Sequence, residues 1–241
     1  MKKNILLGMM ILVAAPLLAA DASPKDEVTG AAAALGSAAN YTWQTTTDMG
    51  ANSPFQPGPT DGKTEKDGYT MLSMSFGDNT SEAVLKGTNG AVKVDDGWQS
   101  LADALKNNNG GGGFNPGMMV ARMVQNLKTP AVEAADLAGM VKELKKDADM
   151  ISGDLTDDSA KTLMSFRGRR GGNGGPAVSN AKGSVKFWLA DGKLVKYQVH
   201  VTGTINFNGD DRDMDRTTTT VITNVGTTTI TVTDDVKKIL P

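Results

Sequence analysis

The chain carries one histidine, His200, and no cysteine among its 241 residues. Without thiolates, disulfides, cysteine zinc sites and iron–sulfur centres are excluded, and a single imidazole rules out a His-rich zinc site. His200 lies between Gln198 and Thr202 with no acid or nucleophile close to it in sequence to orient it, so it reads as a surface histidine rather than a general base. A Gly-x-Ser-x-Gly elbow is absent from the chain. Asp211-Arg212-Asp213-Met214-Asp215 imitates the first half of a calcium loop. Position six, however, is Arg216 where glycine is required, and position twelve is Ile222 where a bidentate glutamate is required. The segment reads instead as an acidic hairpin tip following the Asn208-Gly209 turn signal. These residues predict no catalytic site, no metal and no cofactor.

Two glycine-rich tracts need a different reading. Asn107 to Gly113 lacks the Lys-Ser/Thr of a phosphate loop and is expected to be a flexible linker. Arg167 to Asn180 is expected to be a second flexible loop, whose Arg-Gly part, Arg167 to Gly172, offers guanidinium forks to an anionic membrane surface or to envelope proteins. RNA is excluded as its partner by the start of the chain. Lys2 and Lys3 are followed by the uncharged apolar run Ile5 to Leu18 and by small residues at Ala19, Ala20 and Ala22, the three parts of a secretory signal peptide spanning residues 1–20. The apolar run is about 14 residues, short of the roughly 20 that a spanning helix needs. An uncleaved N-terminal anchor is the alternative. No cysteine follows to take a lipid, so a soluble periplasmic or extracellular protein is expected after cleavage. Loss of Lys2 and Lys3 leaves 23 basic against 27 acidic side chains. That balance argues against a nucleic-acid binder.

The elements that would position any site are legible in outline. Ser23-Pro24-Lys25-Asp26 predicts a helix start that continues through the alanines to Ala39. Tyr41 to Thr47 predicts a strand, Gly50 to Asp67 a long connection, and Tyr69 to Phe76 an alternating strand. Glu82 to Lys86 and Ala91 to Val94 flank Gly87-Thr88-Asn89-Gly90, read as a hairpin through its Asn-Gly pair. Met118 to Leu127 recurs at helical spacing. A second helix starts at Thr129-Pro130 with Val132, Leu137, Met140, Val141 and Leu144 on its apolar side, and a third, capped by Thr156 or Asp157, carries Leu163 and Met164. Val185, Phe187 and Leu189 alternate up to the Asp191-Gly192 turn. Beyond it Val195, Tyr197, Val199, Val201, Ile205 and Phe207 share one parity of a very long strand, with a bend or bulge at Gly203. Thr217 to Thr223 and Thr227 to Thr233 are expected to complete a strand pair. The fold class that follows is α+β: an antiparallel sheet of long, curved strands with one wet face and one apolar face covered by about three to four helices.

This order of elements resembles the LolA/LolB-type lipoprotein carrier superfamily, which includes LprG- and LppX-like lipid-binding proteins. The resemblance is carried by the N-terminal helix running into Asn40-Tyr41-Thr42-Trp43, by Val84-Leu85-Lys86-Gly87 and Gly97-Trp98, by the helical middle, by Gly183 to Tyr197, and by Asn224-Val225-Gly226. It implies one domain over residues 21–241, a strongly curved antiparallel sheet forming an incomplete barrel, or half-barrel, closed by helices, and an apolar cavity holding lipid or lipoprotein acyl chains in the periplasm. It places no ligand-binding residue. The expectation is therefore a monomeric, non-enzymatic periplasmic carrier of acyl chains. The alternatives are a cell-envelope interaction protein whose core is fully packed, and, behind it, a hydrolase.

Overall fold

Ser23 starts the first helix as its side chain predicts. Its hydroxyl accepts a hydrogen bond from the Asp26 backbone N–H at 3.2 Å, and Pro24 takes the first helical position. The computed structural model describes residues 22–51, 53, 56–76, 79–94, 97–106, 116–165, 177–207 and 209–240. The signal segment 1–20, the tract 107–113 and the Arg-Gly segment at 167–172 lie outside the described residues. Along the chain, α1 (Pro24–Ser37) leads into a meander of β1 (Asn40–Asp48), β2 (Thr60–Glu65), β3 (Tyr69–Phe76), β4 (Asn79–Lys86), β5 (Asn89–Val94) and β6 (Gly97–Ser100). Helices α2 (Leu101–Lys106), α3 (Pro116–Val124) and α4 (Pro130–Gly139) follow, then β7 (Lys145–Asp147), β8 (Met150–Asp154) and α5 (Asp157–Met164). The long strands β9 (Ala177–Ala190), β10 (Lys193–Phe207) and β11 (Asp210–Thr223) come last, with α6 (Asp234–Ile239) at the end.

The strands form one antiparallel sheet in the order β6-β5-β4-β3-β2-β1-β11-β10-β9-β8-β7. The last strand pairs with the first, Thr42 opposite Thr223 through Asp48 opposite Thr217, so the two halves of the sequence share one ladder. The terminal strands β6 and β7 do not meet, and the barrel stays open. The Asp191-Gly192 turn is confirmed, both residues having positive φ (51° and 73°) between paired Ala190 and Lys193. Two irregularities bend the long ribbon. Val195 is an extra residue on β10 between the Leu194–Leu189 and Lys196–Trp188 pairs. At the other, Asn180 and Ala181 on β9 oppose Gly203 alone, with Asn180 at φ 54°.

Alternation sends Tyr197, Val201 and Ile205 into the core beside Phe187, Val185 and Ile151, all buried. Buried Val28, Ala32 and Leu35 of α1, Ala134 and Leu137 of α4, Val120 and Val124 of α3, and Ala160 and Met164 of α5 belong to the same cluster as this face. A second cluster lies on the other side of the sheet. There Val232, Val236 and Leu240 pack on Val84 and Ala91, with Tyr69, Met71 and Trp98 around them, so the C-terminal segment covers the outer face of the meander. The outer face of β9 to β11 carries Lys186, Gln198, His200, Thr202 and Thr219 instead, as the parity of the long strand predicts.

Several expectations are corrected. The connection expected at Gly50 to Asp67 contains β2, although Thr60–Glu65 has no apolar side chain to signal a strand. The hairpin turn is Gly87-Thr88, with Gly87 at φ 59° and Lys86 paired to Asn89, while Asn89-Gly90 already belongs to β5. Val132 is 50% exposed, and α4 buries Ala131, Ala134, Leu137 and Ala138 and ends at Gly139, before Val141 and Leu144. The loop expected to reach Asn180 ends earlier, because Ala177–Asn180 already run in β9. The Val195 bulge shifts the parity, so Leu194 is buried in its place. Thr227 to Thr233 form no strand: Asn224 (φ 52°) and Gly226 (φ 83°) turn the chain out of the sheet toward its outer face. Six helices are present among the described residues, more than the three to four expected.

Candidate functional site

The covered face of the sheet is apolar but not uniformly so. Trp43 Nε1 donates to Thr64 Oγ1 at 3.1 Å, and Thr70 Oγ1 reaches the same hydroxyl at 3.4 Å. Thr45 and Thr220 share a hydrogen bond at 2.7 Å across the β1–β11 ladder. Tyr197, 2% exposed, donates to Glu133 Oε2 of α4 at 2.6 Å. Burial first, and then the Glu133 carboxylate, hold the Tyr197 phenol well above its ordinary pKa. Burial also raises Tyr41, whose hydroxyl meets the side chains of Thr129 and Thr64 and the backbone of Ala131. Two tyrosines of the sheet thus hold the first turn of α4. Every buried side-chain nitrogen and oxygen among the described residues has a partner. These groups act as internal fasteners.

His200 is better accompanied than its sequence neighbours suggest. Its Nε2 lies 2.8 Å from Asp215 Oδ1 on β11, a partner fifteen positions away that the hairpin brings alongside. It also borders a shallow recess of about 200 Å³ with Ser184, Lys186, Gln198 and Thr217. The imidazole and the carboxylate are both largely exposed, at 42% and 64% of their side-chain surface. No wall excludes water from them, so the pair forms a cross-strand link on a wet face rather than a base with a substrate pocket.

The calcium-like segment is also resolved by its register. Asp211 and Asp213 are strand residues of β11, not the tip of the turn. Asp211 accepts from Asn206 Nδ2 at 2.6 Å and Asp213 from Thr204 Oγ1 at 3.0 Å. With Asp215 held by His200, each of the three acids has a partner on β10. Among the described residues no group of three or more metal-ligating side chains comes together.

The space that can take a ligand lies farther along the same ribbon. A groove of about 980 Å³ is bordered by Met49, Gly50, Ala51 and Ser53 after β1, by Asn180 and Lys182 of β9, by Thr202 to Ile205 of β10, and by Arg212 to Asp215 of β11. It exists because β1 stops at Asp48, opposite Thr217, while β11 begins seven residues earlier at Asp210 and continues without that neighbour. The bulge at Asn180 and Ala181 bends the ribbon here, and Met164 of α5 sits against Gly203, where a Cβ would come within 2.7 Å of its sulfur. At this groove Ile205 stays buried in the core and Met214 is half-buried beside it. Sequence reasoning identified neither this groove nor its residues. The signal available was the unusual length of the Lys193 to Phe207 run relative to its predicted partners.

No helix among the described residues is long and apolar enough to cross a membrane. No protein-family model and no curated protein matches the chain. Solved structures to which the chain is similar include three of low identity. The first is the lipoprotein LppX of Mycobacterium tuberculosis, at 13% identity and a TM-score of 0.45 over 86% of this chain and 97% of that one. LprF of Mycobacterium bovis follows at 12% identity and 0.45, over 88% and 97%. A LolA superfamily protein of Nitrosomonas europaea shows 7% identity and 0.33, over 87% and 96%.

Proposed function

We propose that this protein is a non-enzymatic binding protein for acyl chains, working as a single domain, monomeric, in the periplasm or outside the cell. The observation that carries the reading is the groove of about 980 Å³ where β10 and β11 run on past the end of β1, bordered by Met49, Ile205 and Met214 together with polar and charged side chains. Grooves of this size hold small apolar ligands, and methionine adapts to irregular ones. Each methylene moved out of water contributes about 0.8 kcal/mol, so one acyl chain can bind at micromolar concentration without polar recognition. The export signal read in residues 1–20 agrees with a carrier moving through an aqueous compartment. Native mass spectrometry of the purified protein, paired with displacement of a fluorescent fatty acid, tests it. Bound lipid or a saturable one-to-one titration is expected. A protein that arrives empty and binds no probe contradicts the reading.

A further inference from the structure

We infer that the ligand of this groove is an amphiphile with an oxyanion head, carboxylate or phosphate, and that Arg212 holds the head; the inference rests on the acyl-binding reading above. Across the β10–β11 ladder Ile205 faces Arg212 and Gly203 faces Met214. Side chains alternate along a strand, so these four residues share one face of the ribbon. Asp213 and Asp215 fall on the opposite face, where Thr204 and His200 bond them. Arg212 therefore shares its face with apolar Ile205 and Met214, while Asp213 and Asp215, which also border the groove, are engaged by Thr204 and His200.

Among the described residues Arg212 makes no ion pair. Arg216, on the same face one turn of the ladder back, is engaged differently, its Nη2 donating to the Leu163 carbonyl of α5 at 2.5 Å. One arginine thus fastens the helical cover, and the other stands at the rim of the groove. A guanidinium fork binds two oxygens of a carboxylate or phosphate at once, and it is weakly hydrated enough to do so beside an apolar surface. An uncharged head leaves the cation unpaired. The acyl chain then lies along Met214 and Met49, over buried Ile205, with its head at Arg212.

The test compares, on delipidated full-length secreted protein, a fluorescent fatty acid, its methyl ester, and dodecyl phosphate as competitor. The fatty acid is expected to bind about tenfold more tightly than the ester, dodecyl phosphate to displace it, and Arg212→Gln to bring the acid down to the ester's affinity while leaving the ester unchanged. Lys186→Gln, which removes a cation from the wet face outside the groove, should preserve the preference and serves as the control for folding. Equal affinity for acid and ester overturns the inference and leaves the acyl-binding reading standing, as does a preference that survives Arg212→Gln. Failure of every probe to bind overturns both.

Discussion

Gly62 has no room for a side chain: a Cβ there would lie 2.0 Å from Cε2 of Trp43. The indole is 3% exposed and tied to Thr64, so it cannot move aside without giving up its hydrogen bond. Gly62→Ala is therefore expected to destabilise by about 1–3 kcal/mol, the usual cost of overpacking. Chemical denaturation should show a lower midpoint with an unchanged slope. Tyr197 makes a prediction about pH. Its phenol is held above its ordinary value in the folded protein, so above about pH 10 the unfolded chain loses this proton while the folded one keeps it. The stability this supplies is complete below the unfolded pKa and falls as pH rises beyond it. Stability measured from pH 8 to 11 should decline, and Tyr197→Phe should decline less over the same range. The same substitution should cost about 1 kcal/mol at pH 7 through the lost bond to Glu133. Residue-level chemistry was partly legible in the sequence. The exclusion of thiolate and His-rich zinc sites follows from composition, but the His200–Asp215 contact depends on a hairpin register that no local pattern displays.

At the scale of elements, strands with alternating apolar residues could be read and strands without them could not. β3 and the long β10 announce themselves because one face is greasy. β2, Thr-Asp-Gly-Lys-Thr-Glu, is a strand only because β1 and β3 pair with it on both sides and because Trp43 needs the empty space at Gly62. The reverse holds for Thr227 to Thr233, whose β-branched run promised a strand. Thr228 instead bonds Asn40 and Asn224, and the segment crosses the outer face, where Val232, Val236 and Leu240 find Val84 and Ala91. That segment has a testable structural role. Deleting residues 229–241 uncovers the outer apolar cluster while leaving every strand in place. The truncated protein is expected to bind a hydrophobic dye, to aggregate more readily and to unfold at lower denaturant, with its far-ultraviolet spectrum still dominated by sheet. A truncation that neither binds dye nor loses stability would show that the strap contributes little.

The whole molecule is an open sheet with two covers, helices on one face and its own C-terminal strap on part of the other. A sheet covered by helices was readable from periodicity, since a greasy sheet face and amphipathic helices must bury one another. The groove was not readable, because it arises from a mismatch of lengths: β1 ends at Asp48 while β10 and β11 run on to Phe207 and Asp210. The expectation of an acyl site between sheet and helices thus becomes a more specific proposal, in the groove at the end of the ribbon. Photolabelling with a diazirine-bearing fatty acid, followed by peptide mapping, tests this placement most directly. The account predicts that label concentrates on peptides holding Met49, Ile205 and Met214, and that excess unlabelled fatty acid abolishes it. Label confined to the wet face around Gln198 and His200, or no saturable label at all, would contradict it.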